Sequence, residues 1–146
     1  MKDLRNLNEI DTINLINLMS GTKLKSTNSV DEYCSFDAFD KYYIVEIKNR
    51  RSYYSTKMME EYKFKANIAA SKKLDKIFLY IVTDPKGVYI YNISEIEEII
   101  LKDKPTVMYC PKTTDFDNNV KQDKYCYNLS EGLAKKKYPI ESIESR

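Results

Sequence analysis

The chain has 146 residues, enough for one compact domain, with 42% hydrophobic and 32% charged residues, a balance that excludes disorder. It holds no histidine and only 3 glycines, which removes Ser-His-Asp and Cys-His catalysis, histidine-zinc hydrolases, P-loops and GxGxxG dinucleotide turns. The net charge is +2, yet the stretch from Lys41 to Lys76 carries ten Lys or Arg against four acids, a basic middle that is either a nucleic-acid-facing surface or a solvated lysine-rich helix.

The opening MKDLRNLNEI lacks the apolar stretch of a secretory leader. No run approaches the roughly 20 apolar residues of a spanning helix, so an intracellular, cytoplasmic protein outside the membrane is expected. Leu7, Ile10, Ile13 and Ile16 recur every third residue, predicting a helix over 8–19, capped by Asn8 and ended by Gly21. Residues 22–33 are polar and turn-rich. Phe, Tyr, Ile and Val then accumulate over 34–48, which reads as strands.

A second helix is predicted over 57–74, capped by Ser55 or Thr56. Its sheet-facing side would carry Met58, Met59, Tyr62, Ala66, Ala69, Ala70 and Leu74. Phe64 and Ile68 fall on the opposite side and ask for another cover, the C-terminal segment or a second subunit, so a homodimer through them is one arrangement. The apolar run 77–83 (IFLYIVT) reads as a central strand, followed by the turn Asp84-Pro85-Lys86-Gly87 and a returning strand over 88–92. A short helix over 95–101 capped by Ser94, a strand over 107–110, a loop over 111–124 and an edge strand over 125–129 complete the prediction. The whole reads as one domain, 1–146, with its core over about 8–92 and peripheral elements over 93–146. Cys34, Cys110 and Cys126 lie far apart with no CxxC pair, which indicates neither a disulfide framework nor a cysteine zinc site.

The segment C-S-F-D-A-F-D-K-Y-Y-I-V-E-I-K-N-R-R, residues 34–51, carries the chemistry. A two-residue hairpin with Asp40-Lys41 at its tip would pair Phe39 with Tyr42, Asp37 with Ile44 and Ser35 with Glu46. One face then carries Phe36, Ala38, Tyr43, Val45 and Ile47, and the other gathers Asp37, Glu46 and Lys48. Two carboxylates and the carbonyl of Ile47 form a hard-oxygen set able to hold a divalent cation. A lysine beside them can orient or deprotonate water and offset charge on a phosphorane. The plainer reading is a Glu/Lys pair on a solvated strand, since E-x-K alone is a weak motif.

The segment resembles the PD-(D/E)xK nuclease superfamily, with Phe36 where the family's usual proline stands. The likeness covers about residues 8–92: a helix, the hairpin bearing Asp37 and Glu46-Ile47-Lys48, a second helix and the IFLYIVT strand. It implies an α/β fold, a small mixed β-sheet flanked by helices in the order α-β-β-(β)-α-β. It implies Mg2+ or Mn2+ as cofactor, DNA as partner and hydrolysis of phosphodiester bonds as activity. Asp37 and Glu46 would be metal ligands with the Ile47 carbonyl, and Lys48 the catalytic lysine. Asp40 competes for the first role but sits at the hairpin tip, pointing away.

Many relatives place an acid on the first helix near the metal, which matches Glu9, with Asp11 behind it; a dipole-favouring glutamate is the other reading. Lys63, or the Tyr62 hydroxyl, would reach the site from the second helix. Arg50, Arg51 and Lys63 would bind nucleic acid, with interleaved tyrosines able to stack on bases. The rival expectation is a catalytically inactive nucleic-acid- or protein-binding module of the same fold, and a third is an α/β interaction protein with a chance Glu-x-Lys.

Overall fold

The structure, a computed structural model, describes residues 3–27, 34–111 and 121–145. A 3-10 turn, Leu4–Asn6, leads into helix α1, Glu9–Ser20. Asn8 caps α1 through a reciprocal box, its side chain accepting from the Asp11 N–H while the Asp11 carboxylate accepts from the Asn8 N–H. Gly21 ends the helix in the left-handed region (φ 68°), where a side chain would be strained. Short strands β1 (Lys25–Ser26) and β2 (Ala38–Phe39) then join β3 (Tyr43–Asn49). Next come β4 (Thr56–Glu60), α2 (Glu61–Leu74), β5 (Ile77–Asp84), β6 (Gly87–Asn92) and α3 (Ile93–Lys102). The chain closes with β7 (Thr106–Pro111), β8 (Lys121–Ser130), a 3-10 turn at Glu131–Leu133, β9 (Lys136–Pro139) and α4 (Ile140–Glu144).

The fold is mixed α/β. Six strands form one sheet in the order β1-β2-β3-β5-β6-β9, and three form a second in the order β4-β8-β7. Among the described strands only β3 and β5 pair in parallel, through the crossover that contains β4 and α2. Alternation along β3 and β5 splits the core in two. Ala38, Val45, Ile47 and Ile81 pack under α1, Leu4 and Ile143 of α4. Ile44, Phe78, Tyr80 and Val82 pack on the other face against Phe64 and Ile68 of α2, Ile93 and Ile100 of α3, and Met59, Tyr127 and Leu129 of the second sheet.

Several expectations are corrected. The second helix begins at Glu61, because residues 56–60 pair as β4 with β8, Lys57 and Met59 pointing inward at period two. Its buried stripe is Phe64, Asn67, Ile68 and Ser71, while Tyr62 is 63% exposed and Leu74 is also exposed. Phe64 and Ile68 are therefore covered within the chain, Phe64 edge-on to Tyr127 at 5.3 Å, and leave no dimer seam there. Asn92, not Ser94, caps α3, and the Ser94 hydroxyl instead accepts from the Phe78 N–H.

Beyond residue 92, the described residues are not peripheral. β8 is the middle of its sheet rather than an edge, and β9 pairs with β6. Gly87 lies so close to β9 that a Cβ would collide with the Tyr138 carbonyl oxygen. Part of the expected 111–124 loop, residues 112–120, lies outside the described residues.

Candidate active site

The hairpin register runs Ala38 with Val45 and Phe39 with Ile44, so Lys41-Tyr42 form the tip, not Asp40-Lys41. Asp40 accepts the Tyr42 and Tyr43 N–H groups through Oδ1, each at 2.8 Å, which tightens the turn at the strand end opposite Glu46. The shift moves each pair by two positions and so preserves which side chains share a face. The Asp37 N–H donates to the Val45 carbonyl, already opposite Ala38, so two residues face one as in a β-bulge. That extra residue explains why Phe36 packs with Phe39 and Ile44 rather than, as expected, with Ala38 and Val45.

The bulge aims Asp37 along β3. Its Oδ2 accepts the Ile47 N–H at 2.8 Å, and its carboxylate hydrogen-bonds the Glu46 carboxyl. Odd-numbered residues of β3 turn their backbone toward β2, as the bonds to the Tyr43 and Val45 carbonyls show. The Ile47 carbonyl consequently lies on the Asp37 side, where β2 has ended.

Glu46 is buried, and burial followed by the Asp37 charge pushes its carboxyl up to about 8. Burial also raises Asp37, against the lowering effect of the Ile47 N–H. The two acids behave as a pair sharing a proton, which resides on Glu46 while Asp37 accepts. Glu46 Oε2 is buried with no hydrogen-bond partner among the described residues, and Lys63 Nζ pairs with it at 3.9 Å.

Lys63 also reaches the Ser35 carbonyl at 3.4 Å, and its charge acts on Glu9, Asp37 and Glu46 alike. Glu9, in the first turn of α1, is raised by burial and then by the charge of Asp37, and its side chain hydrogen-bonds Ser26. The structure thus brings Glu9, Asp37, Glu46, Lys48 and Lys63 into one electrostatic cluster. Asp11 is engaged in the α1 cap, and the exposed Tyr62 ring lies 5.7 Å from the Lys63 ammonium.

Lys48 follows Glu46 on the same face, and burial, then the Arg50 charge, lowers its pKa. Glu46, Lys48, Arg50, Met58, Met59, Glu60, Lys63 and Tyr80 line a cavity of about 10 Å³, near the size one water needs. Glu60, at the junction of β4 and α2, was not singled out in the sequence because those residues read as helix interior; it pairs with Lys124 at 2.8 Å. Tyr80 was likewise hidden inside the apolar run, and its hydroxyl donates to the Met58 carbonyl at 2.6 Å. Arg51, expected to act with Arg50, is exposed and does not line this cavity. A larger hollow of about 660 Å³ lies elsewhere, between the β5–β6 turn and β9, and contains none of these residues.

Among the described residues no three Asp, Glu, Cys or His side chains form a ready-made metal cage. What fits a hard cation is the orphaned Oε2 of Glu46, a second carboxylate bonded to the first, and the Ile47 carbonyl on the same side. No described helix is long and apolar enough to cross a membrane. Comparison of the chain with family models, with curated proteins and with solved structures yields no match in any of the three.

Proposed function

We propose that this protein is a metal-dependent nuclease that hydrolyses phosphodiester bonds in DNA, of the PD-(D/E)xK type. One observation carries the reading: a buried carboxylate oxygen, Glu46 Oε2, with no hydrogen bond among the described residues and only Lys63 at 3.9 Å, beside a second carboxylate. Such a group is unfavourable unless something positive completes it. The order α1-β1-β2-β3-β4-α2-β5 supports the reading, with Glu46 and Lys48 on the parallel strand β3 and Asp37 just before β2.

Asp37, Glu46 and the Ile47 carbonyl would hold Mg2+ or Mn2+, which when bound polarises phosphate and makes water more acidic. Lys48 takes the proton of the attacking water, a role that its depressed pKa favours. The water oxygen forms the new bond to phosphorus, the bond to the leaving sugar oxygen breaks, and that oxygen takes a proton from solvent. Lys63 balances charge among the acids and faces the entering phosphate. Glu9 accepts second-rank contacts around the cation rather than defining its position.

The test is incubation with linear, circular and branched DNA in Mg2+ or Mn2+, and in EDTA. Cleavage confined to the metal-containing reactions is expected. EDTA-resistant cleavage would overturn the mechanism, and DNA retention without any cleavage would favour the inactive binding module.

A further inference from the structure

Arg50 and Arg51 are adjacent in sequence but belong to different surfaces. The Arg50 N–H donates to the Thr83 carbonyl at 2.7 Å, extending the pairing of β3 with β5 one residue beyond Asn49. Alternation therefore sets Glu46, Lys48 and Arg50 on one face, and all three line the same small cavity. Arg50 Nη2 is buried and has no hydrogen-bond partner among the described residues.

The acceptors beside it are partly engaged: Glu60 Oε1 takes Lys124 at 2.8 Å, and the Tyr80 hydroxyl donates to the Met58 carbonyl while its oxygen hydrogen-bonds the Arg50 side chain. A charged N–H left buried and unpaired is costly, and the adjoining space holds about one water or one phosphate oxygen.

We propose that Arg50 is a catalytic residue of this site, its Nη2 donating to a non-bridging oxygen of the scissile phosphate, whereas Arg51 serves only flanking phosphates. The assignment rests on the nuclease reading for the word scissile; the phosphate contact itself follows from the cavity. A phosphodiester gains a second negative charge as water adds, so a fixed guanidinium at this oxygen binds the transition state more strongly than the ground state. An exposed arginine binds both equally.

The experiment compares Arg50→Gln, Arg50→Lys and Arg51→Gln in kcat, in affinity for a duplex oligonucleotide and in its salt dependence. Arg50→Gln should lower kcat by roughly a hundredfold or more while the dissociation constant changes much less. Arg50→Lys keeps the charge but not the fork, and should recover only part of kcat; it also reports if Arg50→Gln is poorly folded. Arg51→Gln should act mainly on affinity, reducing the log K against log salt slope by up to about 0.9, with a smaller loss of kcat than Arg50→Gln. Equal effects of Arg50 and Arg51 on affinity, with kcat unchanged in both, would overturn the proposal.

If the wild type cleaves no DNA in any metal, the nuclease reading fails on its own, and thermal stabilisation by inorganic phosphate decides the contact. Stabilisation lost in Arg50→Gln and kept in Arg51→Gln supports it. Phosphate stabilisation absent from the wild type, or equal in all variants, contradicts it.

Discussion

Glu46 is held in a state that ordinary glutamates avoid. Its pKa lies at about 8 rather than 4.5, so its burial stabilises the fold while it is protonated, below about pH 4.5. That contribution is lost as pH rises through about 8. Glu46→Gln copies the protonated form and should be more stable than wild type near pH 8.5, on the order of a few kcal/mol, with little difference near pH 4.5. Urea denaturation at the two pH values measures this; equal stability at both would mean the carboxylate is already satisfied. By the same electrostatics Mn2+ should stabilise the wild type more at pH 8 than at pH 5, and should do so weakly in Glu46→Gln. Lys48 needs its neutral form to accept a proton, so Lys48→Met should abolish turnover while leaving DNA affinity nearly unchanged, checked by comparing cleavage with binding in Ca2+.

Two buried polar links hold the elements that carry the site. Asn49 Oδ1 accepts from the Thr12 hydroxyl of α1 and the Thr83 hydroxyl of β5, both at 2.6 Å, with both threonines fully buried. Asn49→Ala strands the Thr83 hydroxyl and leaves the Thr12 hydroxyl only its bond to the Asn8 carbonyl at 3.2 Å, and should cost about 1–3 kcal/mol in chemical denaturation. Lys57 ties β4 to the β5–β6 turn, its ammonium 2.8 Å from Asp84 and between the rings of Tyr53 and Tyr89. Lys57→Met leaves Asp84 buried and unpaired, a loss of about 3–5 kcal/mol; adding Asp84→Asn should recover part of it.

These links also mark where sequence reading stops. Local period two placed Glu46 and Lys48 on one face of β3, and a hairpin tip shifted by one residue keeps that parity, whereas Asp37 sits at the bulge and meets them along the strand through the Ile47 N–H. Phe36 went astray because a bulge has no periodic signature. Of the core stripe of α2, Phe64 and Ile68 were legible as a stripe needing cover, which the C-terminal Tyr127 and Leu129 help supply, while Asn67 and Ser71 were not because they are polar. β4 was taken for helix because its partner β8 lies some seventy residues away, and non-local pairing leaves no local pattern.

For the whole molecule, the second sheet and α2 close over the face of the main sheet that bears Glu46, Lys48 and Arg50, while the C-terminal strand and helix complete the opposite core. Sheet-borne acids sit where the basic middle of the chain emerges, although Lys65 and Lys72 on α2 are paired with Glu61 and Glu97 and so contribute less to a phosphate-binding surface. The central claim concerns Asp37 and Glu46. The most direct measurement is nicking of circular DNA in Mn2+ by the wild type and by Glu46→Gln, each shown to be folded by its denaturation curve. Metal-dependent nicking by the wild type is expected, with none above the EDTA background by the variant. Nicking by Glu46→Gln at the wild-type rate would contradict it.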